Sequence, residues 1–149
     1  MDGGATPAGD ADPTRAVRRR DRERWLSVLW APAAARPAMI AIHAYDLELQ
    51  RIVADAGETL LAEIRLAWWR EQIDAVVRGG VPPAQPLIRL LATTVRDAGV
   101  DLGHLSRMEE GFLPLLLAGA LDAALAAAAR GEPLFEALAE AETGGRLDN

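Results

Sequence analysis

The chain offers few side chains for nucleophilic or acid–base catalysis. It has two histidines, His43 and His104, two serines, Ser27 and Ser106, and no cysteine. His104 and Ser106 are two residues apart, so on a helix they point in different directions. With no thiolate and only two imidazoles, a dedicated zinc centre is not expected. Nucleophilic catalysis is therefore disfavoured.

One cluster combines positive charge with aromatic rings. Arg65, Trp68, Trp69 and Arg70 lie close together on one predicted helix. In a structural interpretation, both tryptophans pack in core seams and the arginines pair with Asp or Glu. In a functional interpretation, Arg65 faces an interior groove and meets an anionic lipid head group or a partner carboxylate.

Several carboxylates have the four-residue spacing that puts side chains on one helix face. Glu132, Glu136 and Glu140 form such a series, and we expect it to be a solvated acidic face rather than a metal site. Arg51 and Asp55 are also four apart and are predicted to form a surface ion pair. These patterns assign no metal ligand.

The elements that carry these residues are predicted to be helices. The period of the apolar residues, punctuated by Pro and Gly, predicts helices over about 15–30, 34–54, 58–78, 86–98, 101–111, 112–130 and 133–142. Asp101 is the expected cap of the fifth helix, and Gly131 and Pro133 are expected to separate the last two. No strand pattern is present, so the fold class is all-α.

The third predicted helix has apolar residues over a wide arc. One stripe contains Leu61, Ile64, Trp68 and Ala75, and the neighbouring stripe contains Leu66, Trp69, Ile73 and Val77. A helix that is apolar over so wide an arc is expected inside a bundle.

The chain divides into three predicted segments. Residues 1–14, rich in Gly, Ala, Asp and Pro, are expected to be a disordered tail. Residues 15–142 form one helical domain, and residues 143–149 are a frayed end.

The charge of the chain constrains its partners. Its net charge of −6 argues against a nucleic-acid partner. All sixteen basic residues are arginine, and six of them lie between Arg15 and Arg24. This run is either a solvated helix or a contact for anionic lipid or diphosphate.

The segment from Ile42 to Val77 resembles the squalene/phytoene synthase family. The resemblance rests on AYDLEL at 44–49, EIRL at 63–66 and WWR at 68–70. Weaker flanks extend it from about Asp21 to about Leu138, the amino-terminal half of a usual member. Within the family it is closest to the non-catalytic-looking branch that includes a mitochondrial complex I assembly factor.

The resemblance implies a helical bundle like the first half of the isoprenoid (terpenoid) synthase fold. Family enzymes join two prenyl diphosphates head to head with Mg²⁺, which is held by aspartates four apart on a helix. In this chain Gln50 and Ala54 occupy the positions of the first aspartate motif. The second motif is expected beyond Asn149. We therefore assign no catalytic residue and no metal ligand.

The same helices supply candidate contacts for a ligand or partner. These candidates are Tyr45, Asp46, Glu48, Arg51, Asp55, Arg65, Trp69 and Arg70. The leading functional hypothesis is a catalytically degenerate relative that acts as a binding or assembly factor. One alternative is a Mg²⁺-dependent prenyl diphosphate transferase that needs a missing second half, and another is a non-functional fragment.

Half of a helical barrel would leave its inner apolar faces uncovered. We therefore expect self-association or a protein partner, with a prenyl diphosphate or lipid as a further candidate ligand. No cofactor is expected unless the enzyme alternative holds, which requires Mg²⁺. The expected location is cytoplasmic, with peripheral contact at the inner membrane as an alternative.

Overall fold

The computed structural model describes residues 12–118 and 123–144, and the regular elements in these ranges are helices. In chain order they are α1 (Pro13–Arg20), α2 (Arg22–Trp30), α3 (Arg36–Ala54), α4 (Thr59–Val77), α5 (Pro86–Asp97), α6 (Leu102–Met108), a 3₁₀ turn (Glu109–Gly111), α7 (Leu113–Ala118) and α8 (Ala123–Thr143). The all-α prediction is confirmed. Within the same ranges, the helices are too short or too polar to cross a membrane.

The arginine-rich segment forms two helices rather than the single helix predicted over residues 15–30. Asp21 leaves helical geometry, with φ −144° and ψ 89°, and its Oδ1 accepts a hydrogen bond from the backbone N of Arg24 at 3.0 Å. The prediction of a continuous helix is wrong because the short Asp side chain competes for backbone donors and starts a new helix instead.

The two predicted termini fall mostly on residues 1–11 and 145–149, which lie outside the described residues. α1 begins at Pro13, where Oδ1 of Asp12 accepts a hydrogen bond from the backbone N of Thr14 at 3.0 Å. Proline is well placed in the first helical turn, which needs no donor there.

α3 is enclosed on most sides. Eleven of its nineteen residues are buried, and it packs against α1, α5 and α8. Ile42, Tyr45 and Leu49 are completely buried. An apolar helix in this position provides the centre of the hydrophobic core.

α4 has one buried side and one exposed side. Leu66, Trp69 and Ile73 are buried, as the second stripe predicts. Leu61 and Ile64 are 55% and 56% exposed, however, and Trp68, Val77 and the neighbouring Leu60 are also exposed. The prediction that the whole apolar arc lies inside the bundle is wrong for this chain, because no described element covers the stripe of Leu61, Ile64 and Trp68.

α5 and α6 follow the prediction closely. Gly99 ends the segment after α5 with φ +75°, a conformation that side chains disfavour. Oδ1 of Asp101 accepts a hydrogen bond from the backbone N of Gly103 at 2.7 Å, so the predicted cap is confirmed.

α8 runs without interruption from Ala123 to Thr143, with Pro133 inside it. The predicted break at Gly131 and Pro133 is therefore wrong. Proline removes one backbone hydrogen bond at a cost of about 3 kcal/mol. Leu134, Ala137 and Ala141 bury one face of the helix against the core and offset this cost. Residues 119–122 of the predicted long helix lie outside the described residues.

Candidate functional site

The interior of the N-terminal half contains a buried carboxylate, Asp46 of α3. Its side chain has no exposed surface. Arg24 of α2 brings Nη1 to 2.5 Å from Asp46 Oδ2, and Gln50 donates from Nε2 to the same oxygen at 2.6 Å. Nε of Arg24 also lies 3.0 Å from Oδ2 of Asp21. A buried charge needs such a partner, so Arg24 and Asp46 tie α2 to α3.

This arrangement does not fit Mg²⁺ at the first aspartate-motif positions. The amide of Gln50 donates to Asp46, and Ala54 lies exposed at the end of α3 with no ligand atom on its side chain. Arg24 pairs with Asp46, the buried carboxylate one helical turn before Gln50. Among the described side chains, no three His, Asp or Glu residues converge as a metal site would require.

Glu48, Arg51 and Asp55 form an ion-pair chain near the surface of α3. Nη2 of Arg51 lies 2.5 Å from Oε1 of Glu48, and its Nη1 lies 3.5 Å from Oδ2 of Asp55. The predicted pair of Arg51 and Asp55 is confirmed. Both carboxylates thus face a guanidinium, which further disfavours a metal ion here.

A second buried group lies between α3, α4 and the 3₁₀ turn. The rings of Tyr45 and Trp69 are 5.8 Å apart between centroids and tilted by 57°. Nη1 of Arg70 lies 3.3 Å from Oε2 of Glu109, a carboxylate that is 1% exposed. Of the predicted candidates, the fold thus brings Tyr45, Trp69 and Arg70 towards one another. Arg65 lies on the exposed side of α4.

The electrostatics of this second group differ from those of an open active site. Burial raises the pKa of Tyr45 far above its ordinary value, and the carboxylates of Glu109 and Asp74 raise it further. Burial also raises the pKa of Glu109, whereas Arg70 lowers it. The hydroxyl of Tyr45 has no hydrogen-bond partner among the described residues. Sequence analysis had not singled out Glu109, because its partner Arg70 is 39 positions away.

A cleft of about 530 Å³ opens beside Arg24, between α2, α3 and α8. Its lining includes Arg24, Ser27, Met39, His43, Leu134 and Phe135. His43 is 5% exposed, and its Nδ1 has no hydrogen-bond partner among the described residues. Burial and the nearby Arg24 lower the pKa of His43 from 6.5 to about 4, so its ring is neutral at pH 7. The cleft therefore offers apolar walls and a neutral imidazole, and its two charged side chains, Glu23 and Arg24, have opposite signs.

The series Glu132, Glu136 and Glu140 is not simply the solvated face that was predicted. Nδ1 of His104 lies 2.6 Å from Nη2 of Arg107 and 2.9 Å from Oε2 of Glu136, and its Nε2 lies 3.0 Å from Oε1 of Glu140. Arg107 also reaches Oε2 of Glu136 at 2.9 Å. The prediction is wrong for Glu136 and Glu140, which join α8 to α6. The sequence signal for these contacts was spacing: His104 and Arg107 are three residues apart on one helix, and Glu136 and Glu140 are four apart on another.

The sequence of the chain shows which family it belongs to. The sequence matches the squalene/phytoene synthase family over residues 17–117, more than half of the chain. The chain belongs to this family, and membership implies the isoprenoid synthase helical fold.

Two curated relatives are similar to part of the chain. NADH dehydrogenase (ubiquinone) complex I, assembly factor 6, from Bos taurus is 31% identical over 80 residues, which cover 54% of this chain and 24% of the relative. The Homo sapiens protein of the same name is 28% identical over 71 residues, which cover 48% of this chain and 21% of the relative. The matches thus span about a quarter or less of these relatives. No solved structure gives a significant match.

Proposed function

We propose that this chain is a catalytically inactive member of the squalene/phytoene synthase family that acts as a binding or assembly factor. The observation that carries the proposal is the closed network of Arg24, Asp46 and Gln50 on the helix that would present the first aspartate motif. The buried carboxylate one turn before Gln50 is already paired with a guanidinium, and neither Gln50 nor Ala54 supplies a carboxylate to a metal ion.

The network opposes catalysis in two ways. A Mg²⁺ ion at Asp46 would have to displace Arg24, because two cations beside one buried carboxylate repel each other strongly at low dielectric. Gln50 would also have to turn its amide oxygen towards the metal and give up its hydrogen bond to Asp46. Ala54 supplies no oxygen after either change. Departure of a diphosphate would therefore lack the neutralising charge that it needs.

An exposed apolar surface supports a role in binding another macromolecule. Leu60, Leu61, Ile64 and Trp68 of α4 are between 40% and 66% exposed and are close to one another in sequence. We call these four residues the α4 face. A contiguous apolar surface of this kind marks interaction sites on soluble proteins. The name of the two relatives, complex I assembly factor 6, agrees with such a role, and we extend the assembly role to this chain as part of the proposal.

The cleft beside His43 supports retention of a small apolar ligand. Met39, Leu134 and Phe135 supply apolar walls, whereas Arg24 already pairs with Asp46 and Asp21 and shares the lining with Glu23. The apolar chain of a prenyl diphosphate or of a lipid matches these walls. Binding without turnover is the expected behaviour.

The experiment is incubation of the chain with radiolabelled farnesyl and geranylgeranyl diphosphates, with and without Mg²⁺, followed by product analysis and equilibrium binding. We expect no product under either condition. Any ligand binding should be unchanged by Mg²⁺ and weakened in Phe135→Ser, which removes a 69% exposed apolar side chain of the cleft, whereas Val81→Ser, which changes an exposed apolar residue outside the cleft, should bind as the wild type does. Product that requires Mg²⁺ would overturn the proposal and support the transferase alternative.

A further inference from the structure

The outward side of α2 combines apolar and positively charged side chains. Trp30 is 91% exposed, and Leu26 and Leu29 are 44% and 42% exposed. Arg22 is exposed at the first position of the same helix. Positions 22, 26, 29 and 30 share one face because they recur at intervals of three to four residues. We call these four residues the α2 face.

The backbone that presents the α2 face is held in place. Arg36 donates from Nε to the carbonyl oxygen of Ala31 at 3.0 Å and from Nη2 to that of Leu29 at 2.9 Å. Val28 and Ala31 are buried in the core. Because these anchors fix the inner side of α2, the rings and methyl groups of Leu29 and Trp30 remain on the outside.

The charge around the α2 face is opposite to that of the whole chain. Residues 13–30 contain six arginines and two carboxylates, whereas the chain has a net charge of −6. Arg18 and Arg19 are exposed in the last turn of α1, directly before α2. One of the two carboxylates, Asp21, already lies 3.0 Å from Nε of Arg24. Arg15 lies 3.8 Å from Asp12. Arg18, Arg19 and Arg22 outnumber the exposed carboxylate Glu23, so the net charge of this surface is positive.

We propose that the α2 face and the exposed arginines at the end of α1 dock on a bilayer surface that carries anionic head groups. Tryptophan and leucine are favoured at the boundary between head groups and acyl chains, and arginines are attracted to anionic lipids. A bilayer is deformable, so it can receive the exposed side chains of α2 without a preformed groove. The opposite charge of the remaining chain would orient the protein with α2 towards the membrane.

The test is flotation of the wild-type chain with vesicles of phosphatidylcholine alone and of phosphatidylcholine mixed with phosphatidylglycerol. The chain should float with the mixed vesicles, should remain behind with phosphatidylcholine alone, and should dissociate as salt is raised. Two variants, Leu29→Ser/Trp30→Ser and Arg18→Gln/Arg19→Gln/Arg22→Gln, should each lower the partition coefficient by about tenfold or more.

Matched controls use equally exposed residues elsewhere. Val81→Ser changes a side chain that is 92% exposed, and Arg78→Gln removes an exposed arginine after α4. Both controls should float as the wild type does, and circular dichroism should show the same helicity in all variants. The proposal is overturned if the wild type ignores anionic vesicles, if it floats equally well with phosphatidylcholine alone, or if the α2 variants float as well as the controls. Flotation that persists in the α2 variants would point to another surface.

Discussion

The helices α3 and α4 have the same length, nineteen residues, but different environments. α3 buries eleven residues, and its carboxylates Asp46 and Glu48 are paired with Arg24 and Arg51. α4 buries five residues and leaves the α4 face open. α3 therefore contributes mainly to the core, whereas the α4 face is exposed within the described part of the chain. Two helices of equal length and similar apolar content thus differ in what covers them, and the proposed binding role depends on the uncovered one.

The largest expected effect comes from the buried ion pair of α3. Arg24→Met removes the cation that lies 2.5 Å from the buried Asp46 and should lower the free energy of unfolding by about 3–5 kcal/mol. Arg51→Met is the control, because it removes an arginine whose partners on α3, Glu48 and Asp55, are partly exposed; it should cost no more than about 1 kcal/mol. Urea denaturation measures both. Equal costs would contradict the assignment of Asp46 as the buried anchor.

The two sides of α4 should respond differently to truncation. Leu66→Ala removes a completely buried side chain and should cost about 2–5 kcal/mol. Leu61→Ala on the α4 face should stay within about 0.5 kcal/mol of the wild type, because that side chain is more than half exposed. Thermal or urea unfolding of both variants is the measurement. A large cost for Leu61→Ala would show that the α4 face is covered within the chain.

Acid should lower the free energy of unfolding, because His43 is buried in its neutral form. Burial, assisted by Arg24, lowers the pKa of His43 from 6.5 to about 4, so the unfolded chain takes up a proton before the folded chain does. Between these two pH values the free energy of unfolding should fall as the pH decreases, by about 3 kcal/mol in total from this group. In His43→Met this contribution should be absent. The raised pKa of Glu109 acts in the opposite direction but is common to both proteins.

The pH effect is measured as the difference between wild type and His43→Met in urea unfolding at about pH 7 and about pH 4.5. The wild type should lose more stability than the variant over this interval. Parallel losses in both proteins would mean that His43 is protonated as easily in the folded chain as in the unfolded one.

A small effect on stability, with a clear effect on association, is expected when two residues of the α4 face are changed together. Leu61→Gln/Ile64→Gln should unfold within about 1 kcal/mol of the wild type. Analytical ultracentrifugation should show concentration-dependent association of the wild type and loss of it in the variant, because the variant removes the apolar surface. A well-folded wild-type monomer that binds no hydrophobic dye would contradict the open-face interpretation.

Much of the fold could be predicted from the sequence. The pair α3 and α4 and the break near Gly57 follow from apolar periodicity, and the cap at Asp101 follows from residue type. Local signals failed at Asp21, which was a cap rather than an interior residue, and at Pro133, where packing of α8 outweighed the local preference. At both positions another interaction outweighs the preference read from neighbouring residues: a side-chain cap at Asp21 and core packing of α8 at Pro133.

The candidate site was harder to predict. The pair of Arg51 and Asp55 is local and was anticipated from its spacing. The contact of Arg24 with Asp46 joins residues 22 positions apart on different helices, and spacing along one helix carries no information about it. The exposure of Ile64 could not be read from an apolar stripe either, because periodicity identifies an apolar face without saying what covers it.

The most direct test of the central claim is a calorimetric titration of Mg²⁺ together with inorganic diphosphate into the wild type and into Gln50→Asp/Ala54→Asp. This variant restores the two aspartates that the family's first motif would place on α3. The account predicts no metal-dependent diphosphate binding by the wild type and a gain of binding in the variant. Binding of Mg²⁺ and diphosphate by the wild type, lost in Gln50→Ala, would contradict the claim that Arg24 and Gln50 close this site.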